Sequence, residues 1–324
     1  MNSNYPQKID QLDASLLGIT KGVVYDKRVT KRLYHAIMEA KLIARYQKDE
    51  LIYNGKSATL DIDGKINAGV NSGHYVIYHI PFKKDDDNDI KSFDIPTINT
   101  DHFDYQVIVN SCIDSIRQVS PNAQIILCTT DAFAEKIRDK SINIIKPRVD
   151  SEHPMYYRAK TYNTIIQSKK IKGNIFFLDS DAFLLKDINE LPEKLKFKIG
   201  LTARYSPNLM PINEGVIMAR ADDECTRDFF AHYMGVYEEI IKNKRILEIM
   251  DNIDLRRWRG GQLSLNAVCQ GGSLVDWRDS TKNVKILNCD YYNRKIKNVK
   301  EIAQIRAEGR AYIVHLKGKS KETV

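Results

Sequence analysis

Cysteine is sparse in this chain and scattered where it occurs. Its five residues (Cys112, Cys128, Cys225, Cys269 and Cys289) form no C-x-x-C pair and are odd in number. That argues against a zinc knuckle and a disulfide framework, and for reduced, mostly buried thiols. No run of about 18 apolar residues occurs, so no membrane span is expected. Met1 to Thr20 is polar and has no apolar stretch ahead of a small-residue cleavage site. A secretory signal is therefore not expected, and the chain reads as cytoplasmic, with peripheral membrane contact left open. Internal repeats and low-complexity tracts are also missing, which excludes repeat architectures. With 43% hydrophobic and 28% charged residues, the composition excludes a largely disordered chain.

What is present is a long chain with an uneven charge. Its 324 residues suit about two domains of ~150 residues, or one large α/β domain with additions. Fifty Lys and Arg against 42 Asp and Glu leave +8. The stretch Ile241 to Val324 holds 18 basic and 9 acidic residues, so the first 240 residues are close to neutral. A basic C-terminal quarter suits an anionic ligand such as phosphate, a membrane surface or nucleic acid, and a merely solvated basic face is the plain alternative. Nothing resembles a helix-turn-helix, an RNA-recognition motif or a zinc finger, so nucleic acid is not expected as a partner.

Hydrophobic periodicity divides the chain near residue 72. Thr30 to Leu51 has helical spacing behind a capping Thr30. Asn54-Gly55 and Asp63-Gly64 flank a short alternating run, which predicts a small β-meander. Residues 1–72 are thus read as an accessory region and 73–324 as the main domain. From His74 onward, strands and helices alternate. Strands are predicted at His74–Pro81, Ala123–Thr129, Ile142–Ile145 and Asn174–Leu178. Helices are predicted at Asp104–Val119, Ala132–Lys140 and Tyr156–Ser168. Such alternation implies a mainly parallel sheet covered by helices, with ligands at the carboxyl ends of the strands. Beyond Asp179 the pattern loosens. Strands are expected at Val216–Met218, Val284–Leu287 and Tyr312–Leu316, one long helix within Asp223–Met250, and a short one at Gly261–Val268.

The segment that carries chemistry is Asn174 to Leu185, NIFFLDSDAFLL. A strongly apolar strand runs straight into Asp179-Ser180-Asp181. Two carboxylates at a sheet edge are costly unless a cation neutralises them. A hard divalent ion such as Mn²⁺ or Mg²⁺ takes oxygen ligands and bridges carboxylates to diphosphate oxygens. A second D-x-D, Asp61-Ile62-Asp63, has a local explanation in its turn.

The pattern hhhhD-x-D-hhh inside an α/β chain resembles the nucleotide-sugar glycosyltransferases of the GT-A fold, and in particular the retaining, glycogenin-like family. Other segments match in order. Arg158, in Tyr156-Tyr157-Arg158-Ala159-Lys160, stands where that family contacts the donor or the D-x-D carboxylates. Asn213-Glu214-Gly215-Val216 resembles the N-x-G-V segment beside the donor sugar, and Gly261-Gln262-Leu263-Ser264-Leu265-Asn266 resembles a D-Q-x-x-L-N helix start. His315 to Lys321 resembles H-x-x-G-x-x-K, whose His is a third metal ligand and whose Lys binds phosphate. The resemblance implies a GT-A type mixed, mainly parallel sheet. It implies Mn²⁺ (or Mg²⁺) held by Asp179, Asp181 and His315, a UDP-sugar donor, and a glycan, glycolipid or protein acceptor. Donor contacts would come from Pro81, Phe82 and Lys83 after the first strand, and from Arg158, Ser180, Asn213, Gly215, Gly318, Lys319 and Lys321. Asp179, Asp181, Glu214 and Gln262 are the catalytic candidates, with Glu214 or Asp276 as the base should the enzyme invert; the H-x-x-G-x-x-K match favours retention.

The chain departs from the family at three points. Gly261 stands where an Asp is usual, Glu214 where a small residue is usual, and no Pro-Trp follows Lys321.

Two other readings compete. Haloacid-dehalogenase-like phosphatases also put D-x-D after an apolar strand, but want Thr where this chain has Phe183; Asp222-Asp223 would be their later acidic pair. A non-catalytic basic surface would bind nucleic acid or membrane without metal. Trp258, Tyr291 and Tyr292 read as core or, alternatively, as sugar-stacking rings. Asp85 to Asp89 reads as a solvated loop or a donor-closing lid.

Overall fold

The computed structural model describes residues 73–81, 104–147, 154–203, 212–252, 256–269 and 283–316. The expected N-terminal helix and meander, Asp61, Asp63, Phe82, Lys83, the Asp85–Asp89 loop, Asp276, Gly318, Lys319 and Lys321 lie outside these residues, as does the side chain of Trp258.

A seven-stranded sheet forms the centre. Its strands are β1 (His74–Tyr78), β2 (Gln124–Cys128), β3 (Asn143–Ile145), β4 (Asn174–Asp179), β6 (Ile199–Ala203), β7 (Ile212–Arg220) and β8 (Val284–Asn288), in the order β3-β2-β1-β4-β7-β6-β8. Only β7 runs antiparallel to its neighbours, β4 and β6; the other pairs are parallel. The predicted mixed, mainly parallel α/β sheet is what the chain forms. A second sheet of three strands, β5 (Ala182–Leu184), β10 (Ile313–Leu316) and β9 (Arg294–Ile296), stands at the carboxyl end of β4.

The core follows the period-two rule of a sheet buried on both faces. Phe176 and Leu178 of β4 face one side with Tyr75 and Ile77, under Ile108, Cys112, Ile113 and Ile116 of helix α1 (Tyr105–Val119). Asp104 caps that helix through Gln106 N and Val107 N. Ile175 and Phe177 face the other side with Val76. There they meet Tyr162, Ile165 and Ile166 of helix α3 (Pro154–Gln167) and Phe230, Tyr233 and Tyr237 of helix α5 (Glu224–Lys242). Cys112, Cys128, Cys269 and Cys289 are buried free thiols, and Cys225 is exposed.

Several predicted elements differ in extent. The helix expected over Ala132–Lys140 is only α2 (Asp131–Ala134). Beyond it, Arg138 N donates to Asn110 Oδ1, and Asp139 Oδ1 accepts from Ser141 N in a side-chain turn that ends helical pairing. The single long helix expected in Asp223–Met250 is two, α5 and α6 (Lys244–Asn252). Asn243 separates them: its backbone N–H closes α5 on Glu239, and its side chain accepts from Ile246 N to start α6. The helix expected at Gly261–Val268 is longer, α7 (Arg256–Cys269). The short α4 (Leu191–Lys194) and α8 (Cys289–Tyr292), together with α9 (Glu301–Glu308), complete the helices among the described residues. No helix there is long and apolar enough to cross a membrane.

Candidate active site

Asp179 is the last residue of β4 and shares parity with Ile175 and Phe177, so its side chain emerges on the α3/α5 face. Arg158 waits there, one helical turn before Tyr162, and its Nη1 bonds Asp179 Oδ1 at 2.5 Å. Asp181 follows after one turn residue. The chain then enters β5, which pairs antiparallel with β10 so that Ala182 faces His315. Leu316 N donates to the Asp181 carbonyl. This pairing brings His315 Nε2 to 2.9 Å from Asp181 Oδ1 and 3.6 Å from Asp179 Oδ2. One ligand atom from each of Asp179, Asp181 and His315 lies within 4.8 Å of the other two. The three residues predicted as metal ligands are thus together in space.

Strand β7 closes the site. Leu178 pairs with Val216, which puts Gly215 beside Asp179. A Cβ on Gly215 would lie 2.6 Å from Asp179 Oδ2 and 2.7 Å from His315 Cε1. A glycine is required for this close approach. Between β6 and β7 the register slips: Leu201 pairs with Ile217, but Thr202 pairs with Asn213. The extra β7 residues form a bulge, and a bulge re-aims side chains. Glu214 consequently reaches the α3/α5 face. Its Oε2 accepts from Arg158 Nη2 at 2.7 Å, and its Oε1 accepts from Tyr233 OH at 2.5 Å.

Arg158, 7% exposed, therefore forks between two carboxylates. Burial opposes its charge, but Glu214 and then Asp179 outweigh that and hold its pKa well above the usual arginine value. Burial and the adjacent Glu214 push the Tyr233 hydroxyl up, so it stays a donor.

The imidazole of His315 is oriented by a chain of hydrogen bonds that begins at a backbone donor. Gly215 N–H donates to Asn213 Oδ1 at 3.0 Å, which fixes that amide with its oxygen inward. Asn293 must then present its nitrogen, and Nδ2 donates to Asn213 Oδ1 at 2.7 Å and to Thr202 Oγ1 at 3.1 Å. Asn293 Oδ1 is left to face His315 Nδ1 at 2.7 Å. Nδ1 is therefore the donor to Asn293 Oδ1, and Nε2 is the nitrogen that faces the carboxylates. Partners of this kind set tautomer and ring orientation for metal-binding histidines. Replacing Asn293 by Ala is expected to weaken Mn²⁺ binding by roughly 10–100-fold with the fold retained. Titration calorimetry with Mn²⁺ alone, beside circular dichroism, checks this; native-like affinity would refute it.

Other predicted residues have structural engagements. Gln262 Nε2 donates to the Ile212 carbonyl at 2.8 Å, and Asn266 bonds both Ile212 N and O, which pins α7 to the start of β7. Pro81 is exposed just beyond β1, and Ser180 is half-buried in the turn between the two aspartates. Tyr292 stacks on Tyr312 at 5.2 Å, and Tyr291 is among the exposed aromatics. Three residues of the site, Tyr233, Asn293 and Thr202, went unnoticed in the sequence. Nothing in their local patterns marks them, because an asparagine at a helix end reads as a cap and a helical tyrosine reads as core.

The phosphatase reading loses its second acidic pair. Asp223 caps α5 and pairs with Lys198 at 2.8 Å. It follows the end of β7, where Arg220 pairs with Asn174 at the start of β4. Asp179 lies at the other end of that strand, about 17 Å away at 3.3 Å per residue. Phe183, in the place of the required Thr, is buried in the core.

No protein-family model and no curated protein matches the chain. Solved structures to which it is similar include mouse xyloside xylosyltransferase 1 in its apo form, with 12% identity, 75% of this chain and 97% of that chain covered, and a TM-score of 0.43. A glycosyltransferase involved in glycosylating the major capsid of PBCV-1 has 10% identity, covers 77% and 95%, and gives 0.43. The galactosyltransferase LgtC in complex with donor and acceptor sugar analogs has 11% identity, covers 76% and 87%, and gives 0.36. The functional reading rests on the residues of the site.

Proposed function

We propose that this protein is a metal-dependent glycosyltransferase. It would move a sugar from a nucleoside-diphosphate donor, with UDP favoured, to a hydroxyl of a glycan, lipid-linked glycan or protein, with retention at the anomeric carbon. The observation that carries the reading is the cluster of Asp179, Asp181 and His315 at the carboxyl edge of a parallel strand, with Arg158 on the outer oxygen of Asp179. Oxygen and imidazole donors suit Mn²⁺. Asp179, Asp181 and Glu214 carry three negative charges against the single positive charge of Arg158, which contacts Asp179 and Glu214, and the two charges left over are what one divalent cation balances. A bound ion supplies Lewis-acid stabilisation of charge on the diphosphate oxygens.

The chain's own groups supply the rest. Arg158 fixes Asp179, and Asn293 fixes His315, so the ligands are held before the donor arrives. The glycine at 215 leaves room beside Asp179. In the reaction the bond from the anomeric carbon to the diphosphate breaks and one to the acceptor oxygen forms, with the acceptor proton leaving on the diphosphate. Retention is supported by Glu214, whose two oxygens are already engaged by Arg158 and Tyr233, so it is not set up as a free base. Gly318, Lys319 and Lys321 lie within six residues after His315 in sequence and are proposed to meet the diphosphate, with Phe82 and Lys83 at the base and ribose.

Calorimetry with a panel of UDP- and GDP-sugars tests the reading, run once with Mn²⁺ and once with EDTA. Binding of one donor class in Mn²⁺ that EDTA abolishes is the expected result. Failure of every donor to bind with Mn²⁺ would overturn it.

A further inference from the structure

The carboxylate of Glu214 occupies the space that a side chain on residue 261 would take. A Cβ built on Gly261 lies 2.6 Å from Glu214 Oε1 and 2.7 Å from Oε2. Real Cβ atoms do not approach so closely, so α7 tolerates only glycine at this point while Glu214 keeps its place. Glu214 is not idle there. It links Tyr233 to Arg158, and Arg158 carries the link on to Asp179.

The two departures from the family motif, an acid gained at 214 and one missing at 261, meet at one point in space. We propose that they are a single exchange. Glu214 is a positioning residue that holds Arg158 against Asp179, and this carboxylate is delivered from strand β7 because helix α7 presents Gly261 instead of an acid. The proposal deepens the glycosyltransferase reading by naming what aligns the first of its metal ligands.

The geometry makes the exchange reversible. Oε2 lies 2.7 Å from both the built Cβ and Arg158 Nη2. The Cβ is therefore at most about 5.4 Å from that nitrogen. An aspartate oxygen extends about 2.4 Å from its own Cβ, and a charge-assisted hydrogen bond spans a further ~2.8 Å. The two lengths sum to about 5.2 Å, within about 0.2 Å of that upper bound, so once Glu214 is cut back to Ala an Asp at 261 has the room to approach Arg158 and a span matched to the gap.

The test compares the native chain with Glu214→Ala, Glu214→Gln, Gly261→Asp and the double variant Glu214→Ala/Gly261→Asp. Two quantities are read: affinity for Mn²⁺ alone by electron paramagnetic resonance, and thermal unfolding. Glu214→Ala is expected to lose about tenfold or more in Mn²⁺ affinity, the size seen when an outer partner of a metal ligand is removed. Glu214→Gln keeps the volume and is expected to lose affinity with a smaller fall in Tm. Gly261→Asp alone is expected to be impaired, because two carboxylates then compete for one space. The double variant is expected to regain most of the lost affinity and to melt above Glu214→Ala. Native-like Mn²⁺ binding by Glu214→Ala, or a double variant that neither binds nor melts better than Glu214→Ala, would overturn the exchange. A native chain that binds no Mn²⁺ would instead remove the glycosyltransferase reading. The exchange is then judged on Tm: recovery in the double variant upholds it, and no recovery rejects it.

Discussion

Arg158→Ala is expected to destabilise the fold by about 3–5 kcal/mol, the cost of removing one partner from a buried charge network. The reason is the fork. Arg158 is the cation between Asp179 and Glu214, at 2.5 and 2.7 Å, and Glu214 is almost wholly buried. Deleting the guanidinium leaves two like charges facing each other with little water to solvate them. Arg158→Lys is expected to recover only part of the loss, since a single ammonium cannot present two separate donors in a plane to two carboxylates. Urea unfolding followed by circular dichroism gives the midpoints for the native chain and both variants. A midpoint for Arg158→Ala within experimental error of native would mean that the pair of ion contacts contributes nothing. Mn²⁺ sharpens the measurement: an ion bound at the proposed site would stabilise the native chain by mass action, and the variant, whose Asp179 has lost its tether, is expected to gain less at equal concentration.

Much of this site was legible in the sequence because alternation along β4 is strict. Ile175, Phe177 and Asp179 share one face, so the strand that buries two large side chains against α3 and α5 also aims its final carboxylate toward them. Helical spacing then places Arg158 one turn from Tyr162 on the buried face of α3. His315 could be named from the motif, but the physical cause of its position could not. The cause is the pairing of a three-residue strand, β5, with β10, and β5 continues the apolar run after Asp181 with no signal of its own. Strand β6 also escaped the pattern. It carries Gly200, where a Cβ would lie 2.8 Å from the Phe197 ring, and a glycine within a strand reads as an interruption.

The bulge in β7 is the clearest limit. Strict alternation would put Glu214 on the same face as Val216 and Met218, under α1. The register slip opposite Thr202 moves it to the other face, against Arg158 and Tyr233. Register slips are set by pairing between distant strands, and local sequence does not encode them. Asn293 is hidden for a related reason. Its partners Thr202, Asn213 and His315 come from three strands of two sheets, and only the assembled sheets show why an asparagine is fully buried there.

Gly215→Ala is expected to disable the proposed metal site with little loss of stability. The added methyl would lie 2.6 Å from Asp179 Oδ2, 2.7 Å from His315 Cε1 and 2.9 Å from Asn213 Oδ1. An ordinary contact needs about 3.4 Å or more, so these atoms must retreat by roughly 0.5 to 0.8 Å. None is free to do so without consequence. Asp179 is tied to Arg158, His315 to Asn293, and Asn213 to both Asn293 and the Gly215 amide. Metal sites tolerate departures of only about 0.2 Å from their preferred distances, and a misplacement of about 1 Å can cost ~10²-fold in rate. Mn²⁺ affinity and kcat/KM are therefore both expected to fall at least ~10²-fold. The apolar core on the two faces of β4 and β7 is untouched by the change, so Tm should move by only a few degrees. That separation is the discriminating feature. Arg158→Ala lowers stability and site integrity together, whereas Gly215→Ala should spare the fold and break the site. A Gly215→Ala protein that binds Mn²⁺ like the native chain would show that Asp179 and His315 do not act on the same ion.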